Sequence, residues 1–377
     1  MSGSPQGPRV VPPLPVRRVR ASALSVPAVT FASSATHKHG TVTRMRMDSR
    51  DLPEPRAAWK GMSWRDWQDP GLVRSRLAAG ADPNGPLYDD VQGIPLHRAA
   101  DSGSREVVAE LAALVRDVDA ADEQGQTALW FAVGSRQAEN AVALLEAGAD
   151  AWRPVVGGWS PGRLALLSPF AAHFENLPGA VPPSPAEHAA MLEADRLCAE
   201  LDDVWEGLGV AFVAGVDEDE VIRRLGADPA ECPVTDVDDA WPPGEEELLE
   251  DIQLVGVTGV EGGCVVSQPW GYLPEDPHVL ARLSAGTVAY GIYLNAKSGD
   301  QAMIGRDGVC DRDAGAGLGV HADHVESDGG NVLLRFLYDG GIGGSVGYGC
   351  AYTGLNIPDA RPITGPFRRW VRVPHRE

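Results

Sequence analysis

The sequence predicts an α-solenoid of helix pairs followed by an α+β domain with a mainly antiparallel sheet. Three observations predict it: a 33-residue period between residues 59 and 174, a Pro-rich segment at residues 175–186, and short β-rich runs with tight turns after residue 252. Long sequence periods indicate repeat architectures, and closely spaced short strands indicate a sheet. With 377 residues, 44% of them hydrophobic, the chain can build both cores.

The first fifty residues are rich in Pro, Ser and Arg and show no helical or strand period. This composition predicts a disordered segment over residues 1–50. A secretory signal is not supported, because prolines interrupt the short apolar run and arginines follow it. Met45, Met47 and Met62 are alternative starts closer to folded sequence, so we expect part of this segment to be an upstream extension.

The charge of the chain is unevenly spread. Its net value is -21, but residues 1–50 hold eight basic residues and one acid, which leaves 24 basic and 52 acidic residues in the other 327. An acidic surface repels nucleic acid and anionic membranes, and no apolar run reaches the roughly 18 residues of a membrane span. We therefore expect no nucleic acid and no membrane among the partners.

The five cysteines lie at least 32 residues apart and form no CxxC pair. This spacing supports neither a zinc ribbon nor a thioredoxin-like motif. An odd number of cysteines without a secretory signal predicts reduced thiols and a cytoplasmic protein. Arg outnumbers Lys 29 to 3 and Ala and Gly are abundant, which predicts a GC-rich, actinobacterial genome.

The repeat is clearest where residues 93–119 are placed over residues 126–152 at a constant offset of 33. In this register Leu96 meets Leu129, and both are expected to point into the core. The stretches LAAGADPN and LEAGADAWRP close two units in the same way. The offset therefore joins whole helix pairs and not isolated helix starts.

Helix-start chemistry supports the same register. Thr127 can cap the first helix of its unit with its hydroxyl, at the position that Ile94 and Ser160 hold in neighbouring units. Pro95 and Pro161 follow at the first helical position, where a missing N–H costs nothing. A 33-residue period of a turn, two short helices and a G-A-D loop resembles the ankyrin repeat over about residues 59–174, which implies a non-enzymatic stack that recognises other proteins.

Several positions depart from the ankyrin pattern. Trp130 replaces the motif's His, Arg136 its loop Gly, Gly162 its Leu, and Val115 the Gly that ends a second helix. Divergent units open and close the stack, and Pro169 cuts the closing unit short. Two well-formed repeats between two caps are about the minimum for such a core.

Two polar features of the repeat invite functional readings. His97 is interpreted as a hydrogen-bonding residue between turn and helix and not as a catalytic group, since no second ligand or base is placed near it. Asp117, Asp119 and Asp122 have a calcium-loop spacing but lack the Gly and Glu that such a loop requires. We expect these aspartates to shape a turn.

A binding surface is expected on the turn tips and on the outward side of the first helices. The register places Arg98 and Phe131 at one exposed first-helix position, and Asp101 and Gly134 at another. The alternative is that the aromatic residues only pack between neighbouring units. The predicted protein-binding residues are Tyr88, Asp89, Asp90, Arg98, Asp101, Asp122, Glu123, Gln124, Phe131 and Trp159.

The Pro-rich linker at residues 175–186 leads into a domain predicted over residues 187–377. Ser184 caps its first helix in a capping box with Glu187, and Asp217 caps a second helix that ends at Gly226. The runs QLVGVTGV, GGCVVSQP, GTVAYGIYL, QAMIG and NVLLRFLY predict strands, and DPHVLARLSAG predicts a short helix. Over about residues 205–320 this order resembles an uncharacterised actinobacterial domain of unknown function, which implies no particular activity.

Three patterns in this domain suggest chemistry but do not complete a motif. The Gly-rich stretch at 339–349 lacks the Lys-Ser/Thr of a phosphate loop and is interpreted as turns or a β-bulge; AGAGLG at 314–319 follows no strand. His321 and His324 share a helix spacing but have no defined further ligands, so surface histidines are favoured. The acidic run at 235–253 is interpreted as a solvated loop, and no cofactor or metal is predicted.

Taken together, these patterns predict a cytoplasmic, non-enzymatic interaction protein whose partner is another protein with a basic surface. One alternative is a hydrolase or small-ligand-binding activity in the carboxyl-terminal domain, although no Ser-His-Asp or Cys-His set has a recognisable spacing. Another is an immunity factor against a protein toxin, which only acidity and modular form suggest.

Overall fold

The computed structural model describes residues 59–87, 93–234, 253–295, 297, 299–311, 320 and 331–374. All of them belong to one unit, Leu52–Glu377. We call residues 59–174 the helical stack and residues 185–374 the C-terminal part. The predicted disordered segment over residues 1–50 and the histidines His321 and His324 lie outside the described residues.

The helical stack consists of two rows of helices. The first helices of successive units, α2, α4 and α6, pack side by side, and so do the second helices α1, α3 and α5. The helices are α1 (Pro70–Ala78), α2 (Pro95–Ser102), α3 (Arg105–Ala112), α4 (Ala128–Gly134), α5 (Ala138–Glu146) and α6 (Pro161–Ala165).

The predicted helix starts are confirmed. The Thr127 side chain accepts a hydrogen bond from the Trp130 backbone N–H at 3.3 Å, and Ser160 accepts one from the Arg163 backbone N–H at the same distance. Between units, the buried Asn140 amide donates to the backbone carbonyls at the end of α2, the shortest bond being 2.9 Å to the Gly103 oxygen. The bonds to the Ala100 and Gly103 oxygens satisfy carbonyls that the end of the helix exposes.

The linker covers the closing unit of the stack. Trp152 Nε1 donates to the Pro178 carbonyl oxygen at 2.8 Å, and Arg163 at the start of α6 forms an ion pair with Glu187 of the next helix at 2.5 Å. That helix is α7 (Pro185–Glu200), which begins with the predicted capping box of Ser184 and Glu187.

The C-terminal part contains an antiparallel sheet of seven strands among the described residues, in the order β6-β5-β4-β1-β3-β2-β7. β1 lies at the centre, where Phe212 pairs with Val265 of β3 and Tyr290 of β4. The strands are β1 (Gly209–Ala214), β2 (Leu254–Val260), β3 (Gly263–Gln268), β4 (Val288–Tyr293), β5 (Gln301–Arg306), β6 (Val309–Asp311) and β7 (Arg369–Arg372).

Helices cover both faces of the sheet, so alternate strand residues enter two cores. Phe212 and Tyr290 face α7 and α11, in a core continuous with that of the helical stack. Ala211 and Val213 face the opposite core, which contains α8 and α9. The remaining helices are α8 (Glu218–Leu225), α9 (Pro277–Leu283), α10 (Val332–Leu337), α11 (Gly341–Thr353) and α12 (Arg361–Thr364).

Two predicted elements of the C-terminal part are wrong. NVLLRFLY forms the helix α10 and not a strand, because a short apolar run does not distinguish the two by its periodicity. The Gly-rich stretch forms most of α11 and not turns. A Cβ atom at Gly349 would lie 2.5 Å from Phe212 Cδ2 and 2.6 Å from Tyr290 Cδ1, so the glycines of this helix allow it to approach the sheet closely.

Candidate protein-binding site

The predicted residues Arg98 and Asp101 lie together on the outward side of α2. Arg98 Nη1 and Asp101 Oδ2 are 3.0 Å apart, and the other carboxylate oxygen, Asp101 Oδ1, accepts a hydrogen bond from Ser135 Oγ at 2.5 Å. The Arg98 side chain is 45% exposed. The carboxylate therefore holds the guanidinium in place on a surface that a partner can reach.

Phe131 lies on α4, the first helix of the following unit, and its side chain is half-buried. Its ring meets the His97 ring edge-on, with 5.6 Å between the ring centroids. His97 Nδ1 accepts from the Ile94 backbone N–H at 3.0 Å, and Nε2 lies 2.9 Å from the Ala120 carbonyl oxygen. These two hydrogen bonds confirm the interpretation of His97 as a hydrogen-bonding residue between turn and helix. Burial lowers the pKa of His97 below 6.5, which suits a neutral ring at this place.

Some of the predicted turn-tip residues stabilise the turn by hydrogen bonds, and others are exposed. Asp122 accepts bonds from the backbone N–H groups of Gln124 and Gln126 at 2.9 and 2.8 Å, so its carboxylate shapes the turn. Glu123 at the same tip is exposed. The Arg163 guanidinium lies over the Trp159 ring, with 4.4 Å between Arg163 Cζ and the ring centroid. The predicted residues Tyr88, Asp89 and Asp90 lie outside the described residues.

The second helices form the opposite face of the helical stack. Charged side chains on this face form ion pairs between neighbouring units. Arg74 of α1 pairs with Glu106 and Glu110 of α3. One unit further on, Arg105 of α3 lies 3.0 Å from Glu139 and 2.8 Å from Glu146 of α5. The face of α2 and α4 that carries Arg98, Asp101 and Phe131 is the better candidate for binding another protein; we call it the first-helix face.

Part of the first-helix face is covered by the C-terminal part of the same chain. Trp130 is buried and its Nε1 donates to the Val320 carbonyl oxygen at 3.0 Å. The expectation that Gly134 is exposed is wrong: Gly134 is buried, and a Cβ atom there would lie 2.7 Å from Val320 Cγ2. Arg136 Nε donates to the Asp339 carbonyl oxygen at 3.1 Å.

The C-terminal part also has a surface cavity of about 480 Å³ between β2 and α12. Pro358, Pro362 and Pro366 form apolar walls, and Arg361 at the cavity is paired with Asp359. Thr258 Oγ1 is buried at this cavity and has no hydrogen-bond partner among the described residues.

The described part of the chain offers neither a cluster of metal ligands nor a membrane-spanning helix. It contains no group of three or more His, Cys, Asp or Glu side chains placed to hold a metal ion. Its helices include none that is both long and apolar enough to cross a membrane.

Comparison with known families agrees with the helix pairs and their spacing. The model for ankyrin repeats (3 copies) matches residues 67–154. This segment consists of ankyrin repeats. Residues 198–315, within the C-terminal part, match the family of unknown function DUF6461. Both resemblances seen in the sequence are thereby confirmed, and a search of curated proteins finds no match to the chain.

Sequence reasoning missed the contact between the ankyrin repeats and the C-terminal part. Its signal was present in the departures from the ankyrin pattern, because Trp130 and Arg136 both replace motif residues and both reach Val320 or Asp339. The partners could not be identified from sequence, since they lie about 190 to 200 residues further along the chain.

Proposed function

We propose that this chain is a non-enzymatic protein–protein interaction protein that binds its partner through the first-helix face of the ankyrin repeats. The exposed Arg98, held by Asp101 and Ser135, carries this proposal. Ankyrin repeats generally bind other proteins, and such stacks supply contact area instead of reacting groups. The paired charges on the second-helix face support the choice of side.

We further propose a partner with a basic surface in a reducing cytoplasm. The excess of acids after residue 50, with Glu123 exposed at a turn tip, supports electrostatic complementarity to such a partner. All five cysteines are free, which suits a reducing compartment. The same acidity argues against nucleic acid as a partner.

Site-specific photo-cross-linking tests the assignment. A benzoylphenylalanine in place of Ser102, one turn after Arg98 on α2, should give a discrete adduct in a lysate of the source cells, whereas the same group in place of the exposed Ala109 on α3 should not. In a separate capture experiment, Arg98→Ala combined with Glu123→Ala should lower recovery of that partner. Equal recovery with the unchanged chain would remove the first-helix face from the proposal.

A second candidate function is small-ligand binding in the C-terminal part, which the cavity beside Thr258 favours. Its volume lies in the range of small-molecule sites, and three prolines give it apolar walls. Native mass spectrometry of the purified protein should then show a retained small molecule. Pro362→Trp, which fills the cavity, should abolish it; a species retained equally by both proteins would exclude this site.

A further inference from the structure

Three positions of the α4 unit hold residues that differ from those at the equivalent positions of the α2 unit. At the 33-residue offset, His97 corresponds to Trp130, Asp101 to Gly134 and Gly103 to Arg136. The α2 residues make their contacts within the ankyrin repeats, as His97 does with Ala120.

The corresponding α4 residues contact the C-terminal part instead. The Trp130 indole N–H donates to the Val320 carbonyl, and Gly134 leaves the space that the Val320 side chain fills. Arg136 donates to the carbonyls of Phe336 and Asp339 at the end of α10, and its guanidinium lies 4.9 Å from the Phe336 ring centroid.

These contacts divide the first-helix face into two halves. The α2 half, with Arg98, is exposed. The α4 half is covered where Val320 contacts the Trp130 indole and lies against Gly134. A protein that spans α2 and α4 meets Val320 and the end of α10 where it would otherwise meet α4.

We propose that docking of the C-terminal part onto α4 regulates the first-helix face, so that a protein partner spanning both helices binds only when this contact opens. The inference rests on the proposed function. Because the covered state cannot bind across α4, the apparent dissociation constant rises in inverse proportion to the open fraction. Variants that raise the open fraction should therefore tighten binding without adding any contact.

Two substitutions can weaken the contact between α4 and the C-terminal part without destabilising the ankyrin repeats. Arg136 has a φ of 54°, a left-handed conformation that glycine adopts more easily, so Arg136→Gly removes the docking bonds without straining the turn. Gly134→Ala favours the helix α4 by its propensity but places its Cβ against Val320 Cγ2. Arg116→Ala, at an exposed position before the next turn, loses the same charge as Arg136→Gly and serves as the control.

Hydrogen exchange of the full chain measures the opening. In Arg136→Gly and Gly134→Ala, amides of residues 331–340 should exchange about tenfold faster or more, while those of α5 (Ala138–Glu146) and of the Arg116→Ala control stay unchanged. Unchanged exchange in residues 331–340 would overturn the proposal. Equal acceleration in α5 would also overturn it, since it would show general destabilisation.

The regulatory step is measured with the photo-cross-linking probe at position 102, which leaves Arg98 in place. Adduct yield in the source-cell lysate should rise when Arg136→Gly is added and stay constant when Arg116→Ala is added. Faster exchange with a constant yield would overturn regulation while the proposed function stands. The absence of an adduct in every variant would refute the proposed function, and regulation with it, whereas the docking contact would still be judged by exchange.

Discussion

The substitution Gly349→Ala tests how α11 packs on the sheet. Alanine in a helix interior gains about 0.8–1.0 kcal/mol over glycine in propensity. The new methyl, however, would lie within 2.6 Å of ring carbons of both Phe212 and Tyr290, which are fully buried and cannot swing into solvent. Overpacking of a core costs about 1–3 kcal/mol, and more where two rings must move. We expect a net loss of about 1–2 kcal/mol in the free energy of unfolding.

Urea unfolding followed by circular dichroism measures this loss. Ser345→Ala in the same helix should raise the midpoint slightly, because that position is partly exposed and alanine has the higher propensity. Phe212→Leu added to Gly349→Ala should recover part of the loss, since it removes one of the two rings that the methyl meets. A Gly349→Ala protein as stable as the unchanged chain would refute the packing of α11 against β1 and β4.

Three further predictions follow from single buried groups. Burial lowers the pKa of His97 in the folded protein below 6.5, its value in the unfolded chain. The neutral ring therefore contributes fully to the free energy of unfolding above pH 6.5, and this contribution is lost as the pH falls through the lower folded-state pKa. Chemical denaturation between pH 8 and 5 should show a steeper fall in the free energy of unfolding for the unchanged chain than for His97→Gln. Asn140→Ala removes the side-chain donor to the Ala100 and Gly103 carbonyls and should lower the free energy of unfolding, measured in urea, by about 1–3 kcal/mol. Asn140→Asp should cost at least as much because an ionised carboxylate cannot donate. Burial raises the pKa of Cys264 to about 12, so peptide mapping after treatment with a thiol reagent at pH 8 should find Cys264 labelled only in unfolded protein.

The helical stack could be predicted in detail because its signals are local. The units repeat a helix-start position followed by a proline or alanine and, in the α2 and α4 units, a buried leucine at fixed spacing, so one unit checks the next. Thr127 and Ser160 cap their helices as the register requires. The strands β2 to β5 were also predictable, since β-branched runs and the Asp307–Gly308 turn mark them directly.

The helices α10 and α11 could not be predicted because their signals are not local. Glycine has a low helix propensity, and the Gly-rich run becomes a helix only because Phe212 and Tyr290, far away in sequence, leave room for nothing larger than glycine. The central strand β1 was likewise missed, since a six-residue apolar run can belong to a strand or a buried helix. Tertiary contacts decide the structure in these places.

In the candidate site, residues that depart from the repeat period mark contacts between the ankyrin repeats and another part of the chain. In a stack each unit meets only its neighbours, so the same side chain can serve at equivalent positions: Glu106 and Glu139, 33 residues apart, each form an ion pair with an Arg of the preceding second helix. A contact with a non-repeating partner occurs once and therefore requires a residue that breaks the period. Trp130 and Arg136 break it and reach the C-terminal part, whereas Arg98 lies on an exposed surface one unit earlier. Departures from the period thus mark the half of the first-helix face that is occupied within the chain, and the neighbouring unit marks the half that is left for a partner.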